Sequence, residues 1–232
     1  MLTRRVGSIL AALAAFSLGT AGLAYGGLIT GTGNPLTAIS GGTQVTFDEA
    51  SYAAEYDNPS SLTIGGVTFL ATSCATSCVP VDTAPAFYIN NSYGGNYNTT
   101  GNSLQNTYSN NAFSALTISF ATLTSAFAFN WGAADTAWTL AAYDSGGTLI
   151  ESQDIAPTHG SNAGEFYGLS DAGISYIILS VDMAALSTSL PDYAFLDNFT
   201  YGAGSSSVPE PATVVLLGAG LAGCLLIARK RA

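Results

Sequence analysis

The chain has 232 residues, of which 48% are hydrophobic and only 9% are charged, with five Lys and Arg against fifteen Asp and Glu and a formal net charge of −10. All five basic residues lie at positions 4–5 and 229–231, so the long segment between them contains no Lys or Arg. Such a segment cannot neutralise phosphates by counterion release, which excludes nucleic acid and anionic lipid surfaces as expected partners.

The first 24 residues have the three-part pattern of a secretory signal peptide. Arg4 and Arg5 precede an apolar stretch at residues 6–18, and small residues follow up to Ala24. This pattern predicts a signal peptide over residues 1–24 that signal peptidase removes after Ala24. An uncleaved N-terminal anchor is the alternative, although the stretch is shorter than the roughly 20 apolar residues that a span needs. The Gly- and Thr-rich residues 25–42 are expected to form an N-terminal arm, whose Ile29 and Ile39 could also pair at a sheet edge.

Residues 43–201 show the period of two that is typical of half-buried strands. Leu116, Ile118 and Phe120 alternate with polar neighbours, and residues 62–69 predict a hairpin with a Gly-Gly turn. Val45 and Phe47 predict an early strand, and residues 127–131, 138–143, 148–152, 165–168, 176–181 and 194–201 predict the later ones. Residues 50–54 and 182–187 favour short helical turns. Strands this short and this frequent predict an all-β fold, an antiparallel jelly-roll-like β-sandwich, flanked by an N-terminal signal helix and a C-terminal transmembrane helix.

Two cysteines lie four positions apart in a Ser- and Thr-rich segment. In an exported chain, Cys74 and Cys78 predict a disulfide, because disulfides persist in oxidising compartments. A zinc site would need two further Cys or His ligands, and the body otherwise offers only His159. A redox pair would require the Cys-x-x-Cys spacing, which is absent.

Residues 90–111 are rich in asparagine, with eight Asn among glycines and three tyrosines. This composition predicts a long loop or a loosely built hairpin. Tyr93, Tyr97 and Tyr108 are candidate glycan contacts, since an aromatic face with a polar end suits stacking on a sugar. An Asn-rich loop that only interacts with solvent is an equally open interpretation.

The last 25 residues form an ordered series of signals after a short linker at residues 202–207. Val208, Pro209, Glu210 and Pro211 lead into an apolar run at residues 212–228, which Arg229, Lys230 and Arg231 close. The run is short for a membrane span, but snorkelling Arg and Lys side chains and local thinning of the bilayer allow it to cross. The basic end predicts a cytoplasmic C-terminus, with the rest of the chain outside.

This tail resembles the PEP-CTERM family of bacterial sorting signals, in which a Pro-Glu-Pro box, a Gly- and Leu-rich helix and an Arg-rich end occur together. The resemblance covers residues 208–232 and implies processing by exosortase near Glu210. It also implies a transient membrane anchor and a final location in the outer envelope or extracellular matrix of a Gram-negative bacterium, associated with exopolysaccharide. An ordinary C-terminal anchor helix is the alternative, and it predicts the same orientation without cleavage.

Enzyme signatures are missing from the sequence. There is no Gly-x-Ser-x-Gly, His-Glu-x-x-His or P-loop pattern, and His159 lies in a polar loop. Residues 218–223 match Gly-x-Gly-x-x-Gly but lack the surrounding βαβ unit of a dinucleotide site, so these glycines are better explained as small residues of a membrane helix. Glycoside hydrolysis stays open because two carboxylates suffice for it.

Acidic residues near the first and last predicted strands are candidate metal ligands. Asp48 and Glu49 follow the early strand, and Asp197 lies within the last one. This pattern weakly resembles carbohydrate-binding jelly rolls whose end strands hold Ca²⁺, an ion that favours carboxylate oxygens. We therefore expect an exported, non-enzymatic surface or matrix protein, and a Ca²⁺-dependent carbohydrate-binding module is the alternative.

Overall fold

The computed structural model describes residues 26–49, 60–72, 86–106, 114–181 and 192–202, all of which belong to one compact unit, residues 26–207. Several predictions lie outside the described residues. These are the signal peptide, the two helical turns, the disulfide between Cys74 and Cys78, Tyr108, and the tail with its transmembrane helix. Within the described ranges, no helix is long and apolar enough to cross a membrane.

Eleven strands account for most of the described residues, and every pairing between them is antiparallel. A short 3₁₀ helix, Pro35–Thr37, lies between the first two. The strands are β1 (Gly27–Thr32), β2 (Thr43–Val45), β3 (Ser61–Ile64), β4 (Val67–Thr72), β5 (Tyr88–Asn90), β6 (Ser103–Asn106), β7 (Ala115–Gly132), β8 (Trp138–Tyr143), β9 (Leu149–Ile155), β10 (Glu165–Val181) and β11 (Ala194–Gly202).

Two long strands, β7 and β10, run through the whole sheet. They pair with each other from Phe166 opposite Asn130 to Ser180 opposite Ala115, with register shifts between Ser170 and Tyr176. We call half A the part in which the end of β7 and the start of β10 join β1, β2, β5, β6 and β11. Half B is the part in which the start of β7 and the end of β10 join β3, β4, β8 and β9.

Aromatic side chains fill the space between the two halves. The ring of Phe199 in half A lies 5.5 Å from that of Phe69 in half B, centroid to centroid. Trp131 and Trp138 make a second contact across the halves, with their centroids 5.2 Å apart. All four side chains are almost completely buried. Burial of one such side chain contributes about 1.5–3 kcal/mol to the free energy of unfolding. Packing across the halves makes the fold a β-sandwich.

The predicted all-β, antiparallel class is confirmed. The hairpin is also confirmed: β3 and β4 are joined by Gly65 and Gly66, whose φ angles are 56° and 78°. Two successive positive φ values define the type I′ turn that matches strand twist, and glycine adopts them without strain. Strand β8 occupies the predicted residues 138–143. The jelly-roll-like connectivity stays a prediction.

Three predicted details differ from the structure. The segments expected as separate strands at residues 116–120 and 127–131 are one strand, β7, and those at 165–168 and 176–181 are one strand, β10. The early strand ends at Val45, because Phe47 has a φ of 61°. Residues 27–32 of the expected arm form β1, which pairs with β10, and Ile39 is fully buried.

Candidate functional site

The asparagine loop, residues 91–102, connects β5 to β6 and is closed by its own backbone. Gly95 N–H donates to the Thr99 carbonyl at 2.9 Å, and Thr99 N–H donates to the Asn96 carbonyl at 3.0 Å. The loop also lies directly on β7, since a Cβ added at Gly132 would be 1.6 Å from the carbonyl oxygen of Tyr97. Because the two backbones lie so close together, position 132 has no room for any side chain.

Two carboxylates hold the second part of the loop against the sandwich. Asp197 of β11 is fully buried, and its Oδ2 accepts hydrogen bonds from the N–H and the hydroxyl of Thr100 at 2.7 and 3.1 Å. Its Oδ1 accepts from Asn198 N–H at 2.6 Å. Asp48 accepts from Asn102 N–H at 2.7 Å through its Oδ1. Both acids therefore act as acceptors for backbone N–H groups.

Burial raises the pKa of Asp197 from 3.8 to about 7. The hydrogen bonds from Thr100 and Asn198 lower this pKa, and the nearby charge of Asp48 raises it. No Lys or Arg is available in residues 6–228 to stabilise the ionised form. The charge of this buried carboxyl consequently changes near neutral pH.

Asparagine side chains extend the hydrogen-bond network away from Asp197. The Nδ2 group of Asn198 donates to Asn130 Oδ1 at 3.1 Å, and Asn130 Nδ2 donates to the Gly164 carbonyl at 2.9 Å. Asn98 accepts from Gly164 N–H at 2.8 Å through its Oδ1. These amides, which come from three separate parts of the chain, link the asparagine loop, β7 and β11 into one network.

A cleft of about 340 Å³ opens beside this network, between the asparagine loop and the segments that flank β1 and β10. Its walls carry amide, hydroxyl and backbone groups and no charged side chain. The lining residues are Gly33, Asn34, Gly95, Asn98, Thr99, Thr100, Asn130, Asn162, Gly164 and Asn198. We call this the amide cleft. Its paired donors and acceptors suit a neutral ligand rich in hydroxyl groups.

Tyrosines of the asparagine loop pack against the last strand. The ring of Tyr93 stacks on Phe195 with centroids 5.0 Å apart, and Tyr97 meets Phe195 edge-on at 5.5 Å. The hydroxyl of Tyr193 donates to that of Tyr93 at 3.0 Å. All three tyrosines are half-buried. The predicted contacts Tyr93 and Tyr97 therefore lie together, with ring centroids 5.7 Å apart, but neither lines the amide cleft and each uses part of its ring for packing.

Each residue of the predicted calcium site accepts a hydrogen bond from a backbone N–H group. Glu49 Oε1 accepts from Thr46 N–H at 3.3 Å, and its buried Oε2 has no hydrogen-bond partner among the described residues. Asp48 and Asp197 face backbone N–H donors, which suit an anion and oppose a bound cation. In the described part of the chain, no group of three His, Cys, Asp or Glu side chains could hold a metal ion. The calcium site stays a prediction from the sequence.

His159 lies at the protein surface, as its polar surroundings predicted. Its Nδ1 is 3.2 Å from Asp135 Oδ1, and the two side chains are 66% and 57% exposed. Asp192, which the sequence analysis did not single out, is buried close by. It accepts hydrogen bonds from Trp138 Nε1 at 2.8 Å and from the backbone N–H of Asp135 at 2.9 Å, so its role is to order the turn before β8.

Comparison with known proteins identifies the tail. Residues 207–231 match the PEP-CTERM protein-sorting motif. The chain carries a PEP-CTERM sorting motif. This PEP-CTERM motif contains the predicted Pro-Glu-Pro box and the basic end. It implies a surface protein that is exported, anchored transiently in the membrane by its C-terminus and processed by exosortase.

The solved structures compared with the whole chain are distantly similar to it. The fold resembles a mutant of CBM29-2, a family 29 carbohydrate-binding module, with a TM-score of 0.31, 12% identity, and coverage of 80% of this chain and 98% of that one. It also resembles a cleaved adhesin domain of Lys-gingipain, with a TM-score of 0.35, 14% identity, and coverage of 71% and 99%. These TM-scores carry no functional argument. No curated protein matches the chain.

Sequence reasoning missed most of the amide cleft. Its walls come from residues more than 150 positions apart, and spacing along the chain does not reveal such a combination. One signal was available at Asn130, which lies between Phe129 and Trp131 in the apolar last part of β7, residues 126–132. A polar residue at a buried strand position needs hydrogen-bond partners, so it marks a place where other polar groups converge.

Proposed function

We propose that this protein is an exported, non-enzymatic surface or extracellular-matrix protein whose body binds neutral exopolysaccharide through the amide cleft. Signal peptidase removes residues 1–24, the C-terminal segment anchors the precursor in the inner membrane, and exosortase processes it near Glu210. The product then resides in the outer envelope or matrix of a Gram-negative bacterium. The observation that carries the binding proposal is the uncharged, amide-lined wall of the cleft.

The chemistry of the amide cleft supports a sugar ligand. A sugar hydroxyl both donates and accepts, and an asparagine amide offers the complementary acceptor and donors within one side chain. Asn34 and Asn162 are exposed at the cleft. The Oδ1 of Asn162 accepts from Tyr97 N–H, and Asn34 is hydrogen-bonded to Gln44, so the Nδ2 group of Asn162 is the donor that we assign to a ligand. Asn98, Asn130 and Asn198 are buried and hydrogen-bonded to one another or to backbone groups. The inner amides thus hold a rigid floor beneath the accessible outer ones, which reduces the ordering cost of binding.

The charge of the body favours a neutral polysaccharide over an anionic one. Fourteen of the fifteen acidic residues lie between Asp48 and Asp197, and no Lys or Arg accompanies them. An anionic polymer would be repelled, and no cationic side chain other than His159 is present to compensate. The half-buried Tyr93 and Tyr97 belong to the asparagine loop, which forms one wall of the cleft, so a sugar chain that extends along this loop would meet their exposed parts.

Binding to polysaccharide tests this proposal. The processed protein, purified without its signal peptide, is titrated with neutral and acidic exopolysaccharide fractions from a producing organism. We expect saturable binding to the neutral fraction and about tenfold weaker binding for Asn162→Ala, which loses one uncharged hydrogen-bonding group together with the acceptor of Tyr97 N–H in the asparagine loop. Asn96→Ala is the matched control, because Asn96 is exposed in the same loop but does not line the cleft. Equal binding by all three proteins would overturn the role of the cleft.

Adding a chelator to the same titration distinguishes this proposal from the alternative function, a Ca²⁺-dependent carbohydrate-binding module. Loss of binding on chelation, restored by Ca²⁺ and abolished in Asp48→Asn, would favour that alternative. Release of new reducing ends from the polysaccharide would instead indicate a glycoside hydrolase. We expect neither, because Asp48 and Asp197 accept hydrogen bonds from backbone N–H groups and Glu165 accepts one from the Asn98 side chain.

A further inference from the structure

The outer sides of the two halves of the sandwich differ in how far they are covered. In half A, the asparagine loop lies on β7, and Ile39 is fully buried in a small cluster with Ala126. In half B, the outward positions remain open to solvent: Leu70 of β4 is 40% exposed, and Thr63 of β3 and Ser152 of β9 are exposed as well. Half B therefore presents a sheet face on which a partner can lie.

The strand register arranges this face in rows that run across the strands. We call it the hydroxyl face and define it as the residues of half B that alternate with its buried core positions. Its middle row crosses four strands, because Leu70 pairs with Thr117, Thr117 with Ile178, and Ile178 with Ala141. Apart from the hydroxyl of Thr117, these four side chains are apolar.

Hydroxyl groups lie on both sides of the middle row. On one side Thr68 pairs with Ser119, and Ser119 pairs with Tyr176. On the other side Ser180 pairs with Thr139. Each flanking row lies about 7 Å from the middle one, because alternate residues of a strand are separated by two rises of about 3.4 Å. The face thus consists of an apolar strip between two rows of hydroxyl groups.

Contacts within the face hold several of these side chains in place. The hydroxyls of Thr63 and Thr68 lie 2.9 Å apart and are hydrogen-bonded across β3 and β4. The rings of Tyr143 and Tyr176 stack with their centroids 4.9 Å apart. Side chains that are already ordered lose less conformational entropy when a ligand binds.

The charge distribution of the body favours an uncharged occupant for the hydroxyl face. Residues 48–197 carry fourteen acidic side chains, yet strands β3, β4 and β8 and residues 115–120 of β7 and 174–181 of β10 contain none. The face has one acid at its corner, Asp154 of β9, which pairs with Thr139. A surface with so little charge offers no electrostatic complementarity to an ionic polymer.

The size of the hydroxyl face argues against a second copy of the body as the occupant. Six strands about 4.8 Å apart and rows about 7 Å apart give a face of roughly 24 by 14 Å, or about 340 Å². Two copies that met through this face would bury about 700 Å² in total, less than the roughly 1,200 Å² of a stable protein interface. A narrow strip of this kind suits a single extended chain better.

We propose that the hydroxyl face is a second polysaccharide site, which binds an extended neutral chain of equatorially linked pyranose rings along its middle row. Such rings carry C–H groups on their two faces and hydroxyls at their edges. The C–H groups contact Leu70 and Ile178, which removes apolar surface from water. The sugar hydroxyls meet the flanking rows, whose Ser, Thr and Tyr hydroxyls both donate and accept hydrogen bonds.

A second site changes what the body does in a matrix. The inference rests on the proposed function, since it adds to the amide cleft of half A another site for neutral polysaccharide. One molecule then holds two chains at once and cross-links them. Binding through two sites also raises the overall avidity for a polymer above the affinity of either site.

Two measurements on the processed protein test this inference. Titration with hydroxyethyl cellulose, a neutral chain of equatorially linked rings, reports binding, and turbidity on mixing with neutral exopolysaccharide reports cross-linking. Leu70→Asp places a charge in the apolar strip, where contact with a sugar would desolvate it. We expect at least tenfold weaker binding and loss of turbidity. Leu28→Asp is the matched control and should change neither, because Leu28 is 44% exposed on β1 of half A.

A milder variant keeps the test decisive if Leu70→Asp does not fold, as judged by circular dichroism. Leu70→Ala removes only apolar contacts and should weaken binding to hydroxyethyl cellulose about threefold. Wild-type binding and turbidity in a folded Leu70 variant would overturn the inference. A wild-type dimer in sedimentation that Leu70→Asp dissociates would also overturn it, because the occupant would then be a second copy.

Failure of the amide cleft gives a different result. If Asn162→Ala binds neutral exopolysaccharide as the wild type does, while Leu70→Asp binds it more weakly, the cleft is refuted and the hydroxyl face is supported. If Asn162→Ala weakens binding and neither Leu70 variant does, the cleft is supported and the hydroxyl face is refuted.

Discussion

Asp197 makes the stability of this protein depend on pH in a direction opposite to that of most paired carboxylates. Burial raises its pKa to about 7, compared with 3.8 for an ordinary aspartate. Between these values the folded state holds a proton that the unfolded state has released. The contribution of Asp197 to the free energy of unfolding should therefore be largest below pH 4 and fall as the pH rises to about 7, after which it is constant.

The size of the effect follows from the difference between the two pKa values. Each pKa unit corresponds to about 1.4 kcal/mol, so the full loss is about 4 kcal/mol. Over the practical interval from pH 5 to pH 8, about two units remain, which gives about 2.7 kcal/mol. For a urea dependence of about 2 kcal/mol per molar, the midpoint should fall by about 1.3 M.

Urea unfolding of the wild type and of Asp197→Asn at several pH values isolates this residue. The variant places an amide N–H₂ against one of the two backbone N–H groups that Asp197 accepts from, a cost that does not vary with pH. The difference between the two proteins should therefore change by about 2.7 kcal/mol from pH 5 to pH 8, in favour of the variant at high pH. Asp154→Asn, which removes an exposed carboxylate from β9, is the control and should show no such change.

A constant difference between wild type and Asp197→Asn across this interval would refute the reasoning. It would mean that the hydrogen bonds from Thr100 and Asn198 keep the buried carboxylate ionised throughout. Infrared absorption of the protonated carboxyl, measured as a difference between the same two proteins, gives an independent answer. A band near pH 6 that is lost in the variant would support the raised pKa.

Two further substitutions test the architecture around the site. In Gly132→Ala the added Cβ would meet the Tyr97 carbonyl oxygen at 1.6 Å. We expect the free energy of unfolding in urea to fall by at least about 2 kcal/mol and polysaccharide binding to be lost. Gly160→Ala is the control, since a Cβ there meets nothing within 4 Å, and it should change neither quantity. Asp192→Ala removes the acceptor of the Trp138 indole N–H and of three backbone N–H groups, and leaving buried donors unpaired should cost about 3 kcal/mol in the same assay.

Local patterns predicted much of the sandwich because its strands are mostly half-buried. Strand β8 was found at the expected residues, since Trp138, Thr139 and Leu140 alternate and the turn residues Asp-Ser-Gly-Gly at 144–147 mark its end. The continuity of β7 was missed because Leu123, in its middle, is 62% exposed, which breaks the alternation where the strand passes from one half to the other. The continuity of β10 was hidden by the register shifts around Ile174, which change the face that successive side chains present.

The candidate site was predicted only in part, for a different reason. The asparagine loop and Asp197 were recognisable as unusual, the first by composition and the second as an acid within an apolar strand. The contact between the loop and Asp197 was not predictable, because it depends on Thr100 reaching β11 nearly a hundred positions away. The sequence suggested a cation as partner of Asp197, whereas the structure places backbone N–H groups there. Composition shows that Asp197 has no Lys or Arg partner, but only the tertiary structure shows that backbone N–H groups bind it instead.

Backbone N–H groups, rather than Lys or Arg side chains, stabilise the buried acids of this body, and this affects how its stability depends on salt. Asp192 and Asp197 are buried and accept hydrogen bonds from backbone N–H groups, and no Lys or Arg is present in the body to pair with them. Surface ion pairs weaken as ionic strength rises, whereas short hydrogen bonds to buried carboxylates are screened much less. Salt instead weakens the mutual repulsion of the many exposed acids. The body should therefore become more stable with added NaCl, and urea midpoints that fall between 0.05 and 0.5 M NaCl would contradict this account of how its acids are stabilised.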